Sequence, residues 1–150
     1  MPLGTQYCAP SDLLLTGINP FALQDVAPAN QLQACVQANS LADDYLGIRG
    51  ALPVLAYPPS VTYHAAQIAV FYCLKTRGYN PESGADSLIK QDAEAAEKWF
   101  EKIARQTITV AGLVWAVNQP GDPVHDLPQV ISQPQRGWST FSASGRPSIW

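Results

Sequence analysis

The sequence predicts a mainly α fold: a small bundle of three to four helices, followed by a long extended C-terminal arm that carries a short β-strand or hairpin. Three observations predict it. Apolar residues recur at helical spacing in separate stretches before residue 106. Residues 107–150 hold five prolines but only four charged side chains, Asp122, Asp126, Arg136 and Arg146, whereas residues 1–106 hold the other seventeen charges. Past Gln106 the apolar period changes from helical to alternating. The chain therefore divides into a helical body, 1–106, and an arm, 107–150, with a strand over about 107–117 and irregular structure beyond it. With 150 residues, 47% of them apolar, there is material for one domain with a core and not for two.

In chain order, Ser11 precedes a short apolar run, Asp12 to Leu15, and is placed to cap one helical turn before Gly17 and Pro20 break it. From Pro28, suited to a first helical turn, Leu32, Cys35, Val36, Ala42, Tyr45 and Leu46 recur at helical spacing up to Gly47 and predict a half-buried helix. Gly50, Pro53, Pro58 and Pro59 make 48–59 an extended connection. Ser60 opens the next helix, which runs to about Arg77 with Gly78 as its stop. Its stretch Ile68 to Leu74 is apolar all round, which places it at the centre. The last helix, about Ser83 to Gln106, sets Ile89, Ala93, Ala96, Phe100 and Ile103 on one face, with the pairs Asp86/Lys90, Glu94/Lys98 and Glu101/Arg105 elsewhere.

In the arm, Ile108, Val110, Leu113, Trp115 and Val117 alternate as in a strand. Turn-rich segments then leave Trp138, Phe141, Ile149 and Trp150 without a local core. Three of the four tryptophans lie after residue 106. Tryptophan, aromatic and arginine side chains are the types most enriched at binding hot spots. Trp115, Trp138, Phe141, Arg146 and Trp150 are therefore the candidate anchors by which the arm docks on a partner chain, ordering as it does so.

Chemistry is harder to find. A net charge of −3 and a pI near 5.2 lack the basic footprint of a nucleic-acid or anionic-membrane binder. The N-terminal stretch has no basic n-region, so neither secretory signal nor transit peptide is expected, and synthesis in the cytoplasm follows. No apolar run approaches the ~20 residues of a membrane helix. Cys8, Cys35 and Cys73 are odd in number and widely spaced, which fits buried free thiols. His64 reads as a core or interface residue and His125 as a solvated one. Nucleophile-elbow, phosphate-loop, dinucleotide and zinc-protease motifs are all missing. Asp43 and Asp44 point about 100° apart on a helix and read as a solvated face. The expectation is a protein without enzymatic activity, cofactor or metal. Gly47-Ile48-Arg49-Gly50 matches the GxxG clamp of some nucleic-acid-binding domains, and a helical nucleic-acid-binding or regulatory domain is the alternative reading.

The order Asp44-Tyr45-Leu46, Arg49, Leu52-Pro53, Pro58, then Ile68-Ala69, Tyr72, Leu74, Arg77, then Ala93, Trp99-Phe100, Ile103-Ala104 resembles the head-tail connector, or adaptor, proteins of tailed bacteriophages over about residues 5–106. Gly50 stands where related sequences often carry an aromatic residue, and Gln106 where a glycine often ends the last helix. The resemblance implies a virion protein, made in the host bacterial cytoplasm and resident at the head-tail interface. It implies a homo-oligomeric ring, usually of twelve copies, beneath the portal. Its partners are then the portal protein, neighbouring copies of itself and a downstream stopper or tail-completion protein. DNA meets it only in nonspecific passage through the lumen, for which an acidic chain is suited, and no membrane is involved.

Overall fold

Proline at the first helical position begins three of the described α-helices, where its fixed φ is already helical and its missing N–H is one no helix uses. They are α1 (Pro20–Gln24), α2 (Pro28–Leu46) and α3 (Pro59–Arg77), and α4 (Gly84–Ala104) follows Ser83. The structure, a computed structural model, describes residues 4–116. The mainly helical class is as predicted. The first apolar run forms a 3-10 helix, Pro10–Thr16, ended by Gly17 at φ 79°. Ser11 is not its cap: Ala9 is, with the Asp12 carboxylate accepting from the Ala9 N–H at 2.8 Å, so the turn begins two residues earlier than a Ser11 cap requires. Pro20 does not simply break the chain but opens α1, with the Asn19 side chain accepting from the Phe21 N–H at 3.0 Å. Gln31 of α2 donates to the carbonyls of Leu23 and Val26, closing the α1–α2 link.

Helix α3 is central, as its all-round apolar run predicts, with Val61, Ala65, Ala66, Ile68, Ala69, Val70, Cys73 and Leu74 buried. It packs against α2, α4 and the 3-10 helix. Helix α4 buries Ala93, Ala96, Phe100 and Ile103, the predicted face. Its pairing differs at two of the three expected pairs: Asp86 accepts from Arg77 at 3.2 Å and from the Asn80 N–H at 3.0 Å instead of meeting Lys90, and Glu94 faces Lys90 at 3.7 Å instead of Lys98. The Asp86 carboxylate is taken by groups that close the α3–α4 loop. The Glu101/Arg105 pair forms as expected.

Helix α2 has the predicted length but a rotated face. Leu32 and Val36 are 53% and 51% exposed, while Ala34, Cys35, Ala38, Asn39, Ala42, Asp43 and Leu46 are buried. The cause is the N-terminal segment, which lies along α2 with its backbone polar groups away from water. Asn39 accepts from the N–H groups of Tyr7 and Cys8 at 3.1 and 3.0 Å and donates to the Cys8 carbonyl at 3.1 Å. Asp43 accepts from the Tyr7 hydroxyl at 2.6 Å and the Thr5 N–H at 3.2 Å. Asp43 is thus an interior acceptor and no solvated face. Burial holds its carboxyl above the usual carboxylate range, while the Tyr7 and Thr5 hydrogen bonds pull against that. Burial, with the bond to Asp43, also pushes the Tyr7 phenol up and keeps it a donor. The same segment reaches the extended connection, where Tyr57 donates to the Gln6 carbonyl and Val54 to the Thr5 hydroxyl.

The alternating apolar residues after α4 do face inward: Ile108, Val110, Leu113 and Trp115 pack half-buried against the core. The strand itself is shorter than 107–117. Strand β2 is Val114–Trp115, antiparallel to β1, Val54–Ala56, with Val54 opposite Trp115 and Ala56 opposite Val114. Its partner is this chain's own proline-bounded connection. The described residues after α4, up to 116, lie in the same compact unit as the helices, and residues 117–150 lie outside the described residues. All three cysteines are buried free thiols.

Two stability measurements follow. Asn39→Ala removes three buried hydrogen bonds and strands two buried N–H groups, so urea unfolding should show a loss of about 2–4 kcal/mol. Gln106 ends α4 in the left-handed region at φ 63° without a glycine. Gln106→Gly relieves that conformation and should raise stability by roughly 0.5–1 kcal/mol in the same assay.

Candidate functional site

Of the candidate anchors, Trp115 is the one among the described residues, and it is turned toward its own chain. Its indole Nε1–H donates at 3.1 Å to the carbonyl of Leu46, one of the C-terminal carbonyls that helix α2 cannot satisfy internally. The ring lies directly over Gly50, where any Cβ would fall well inside the van der Waals radius of the indole carbons. Glycine is required there by close approach. The same packing bears on the Gly47–Gly50 turn: Gly50 is buried beneath the indole, so its backbone is not presented as a clamp for a nucleic acid. Trp138, Phe141, Arg146 and Trp150 lie outside the described residues, as does His125.

His64 stacks on Trp99 with ring centroids 4.2 Å apart, and its Nδ1 faces Gln67 Oε1 at 3.1 Å. Burial lowers its pKa below the ordinary histidine value, opposed by the Gln67 bond, so the ring is neutral at pH 7. It serves as an aromatic packing group with an amide partner. Among the described residues no three His, Cys, Asp or Glu side chains gather in a way that would hold a metal ion. No described helix is long and apolar enough to cross a membrane.

Two surface features escaped sequence reasoning. One is a groove of about 500 Å³ between the end of the 3-10 helix, α1, α3 and α4, lined by Ile18, Val70, Leu74, Leu88 and Ile89, with the Arg77–Asp86 pair among its polar groups. Arg77 also donates to the Ala22 carbonyl at 3.4 Å and so ties α1 to α3. The other is a set of outward apolar side chains: Leu32 and Val36, one turn apart on α2, with Phe21, Leu14 and Leu15 nearer the N-terminus. The polar latch Asn39/Asp43 did leave a signal. Both residues continue the four-residue spacing that starts at Cys35, so they fall on the buried stripe and not beside it.

A small helical body, closed by a strand pair of its own and bearing apolar side chains outward, is the framework of a structural module. The chain belongs to the bacteriophage Mu Gp36 family, whose model matches residues 7–120. It is a bacteriophage protein. The matched span runs past residue 106 and takes in β2, in keeping with the extent of the compact unit. No curated protein and no solved structure matches the chain.

The Gly50–Trp115 contact is open to a double-mutant cycle. Gly50→Ala should cost about 1–3 kcal/mol in the wild-type background through overpacking, and far less in a Trp115→Ala background where the space is vacant. A coupling below about 0.5 kcal/mol in urea unfolding would show that the ring does not rest on Gly50.

Proposed function

We infer that the protein is a head-tail adaptor: a subunit of a ring beneath the portal that joins capsid to tail and surrounds the DNA passage. The observation that carries this reading, within a phage family, is the outward apolar row Leu32 and Val36 on a helix whose inner face is already filled by the N-terminal segment. Such a row gains by packing against a neighbouring copy. Side-by-side packing of different faces is heterologous and yields a ring when the rotation per subunit closes. Residues 117–150, with Trp138, Phe141, Arg146 and Trp150, supply the anchors to the portal or to adjacent subunits. Repeated around a ring, individually modest contacts act at high effective concentration. The downstream face receives the stopper or tail-completion protein. The net charge of −3 suits a conduit through which phosphates pass without being held. This role requires binding surfaces and no catalysis, cofactor or metal.

Imaging of infectious particles of the parent phage tests the reading. A ring of this protein at the junction of head and tail is expected. Its absence from mature particles, or its location at the tail tip or inside the capsid, would overturn the proposal.

A further inference from the structure

Three thiols share the core where the N-terminal segment meets α2 and α3: Cys8 and Cys35 are each 1% exposed and Cys73 is fully buried. They are not equivalent. The Cys8 backbone is fixed on Asn39 by one hydrogen bond from its N–H and one to its carbonyl. Cys35 lies one helical turn before Asn39, on the same face of α2. The Asn39 side chain thus seats Cys8 against the face of α2 that carries Cys35, and the two thiols shift each other: Cys35 and burial push the Cys8 thiol up, and Cys8 lowers that of Cys35. Burial raises Cys73 to about 11, which keeps it a thiol.

We propose that Cys8 and Cys35 form an intramolecular disulfide when the protein meets a small-molecule disulfide such as oxidised glutathione, fastening the N-terminal segment covalently to α2. Once the segment lifts, Cys35 loses its proton to solvent and, as thiolate, attacks one sulfur of the reagent. The S–S bond breaks and one glutathione leaves as a thiolate that takes up a proton. Cys8 then loses its proton to solvent and attacks the Cys35 sulfur, releasing the second glutathione. Two protein thiols are oxidised to one disulfide while one glutathione disulfide is reduced to two thiols. Access comes with local opening: the segment 5–8 is held to α2 and β1 by a few hydrogen bonds, and its release takes Cys8 out of the core and uncovers the Asn39 face of α2, on which Cys35 lies. A phage protein is made where thiols are kept reduced and leaves that compartment at lysis. The inference does not depend on the ring reading.

The test incubates the reduced, full-length protein with oxidised glutathione under native conditions, alkylates the remaining thiols and maps the digest by mass spectrometry. The expected product has lost two hydrogen atoms, carries a Cys8–Cys35 bridge and is alkylated at Cys73 alone. Its thermal midpoint is higher than that of the reduced form, and dithiothreitol reverses both changes. Cys73→Ser should retain the bridge. Three free thiols, a persistent glutathione adduct or a bridge to Cys73 in the native protein overturns the proposal, provided the urea-unfolded chain forms disulfides with the same reagent. A Cys8–Cys35 bridge that lowers the thermal midpoint would refute the fastening.

Discussion

A helix that is apolar on every side has no stable exposure to water, and the need to cover α3 organises everything around it. Helix α2, helix α4 and the 3-10 helix each take one flank. Alanines at 65, 66 and 69 of α3, 34, 38 and 42 of α2 and 93 and 96 of α4 keep the side chains between helices short, so the axes approach closely and the core has few large residues. Phe100, Leu46, Leu13 and Tyr7 fill the remaining space. The core therefore depends on close fit more than on bulk, and any element that holds a flank in place matters to the whole.

The N-terminal segment is such an element. It is irregular, so it brings unpaired backbone N–H and C=O groups into an apolar region, and each needs a partner there. Asn39 and Asp43 supply them from a helix face that would otherwise be aliphatic. Two polar residues on α2 thereby set which side of the helix is inside. The displaced apolar pair, Leu32 and Val36, is left on the surface where assembly contacts are proposed.

The legibility of this fold in its sequence follows from how local each determinant is. Helices α3 and α4, including their buried faces, are written in their own periodicity. The ends of α2 are equally plain, but its orientation is decided by residues some thirty positions away, and periodicity alone favoured Leu32 and Val36 over Asn39 and Asp43. The inward alternation after residue 106 is visible, whereas its partner is not. Strand β1 has three residues between prolines and carries no strand signal of its own. A phage protein was legible from the spaced apolar, proline and arginine positions. The surface groove was not, because it is formed by elements distant in the chain.

The contact of Trp115 with Leu46 spans 69 residues, and it has a vectorial consequence. During synthesis the whole helical body precedes this tryptophan out of the ribosome, so the C-terminal turn of α2 and the bare backbone at Gly50 stay open to the cytoplasm until translation has passed residue 115. At 5–20 residues per second, roughly the usual bacterial pace, that interval lasts several seconds. The nascent chain thus has a late-sealing seam, the last part of the body that the indole closes over.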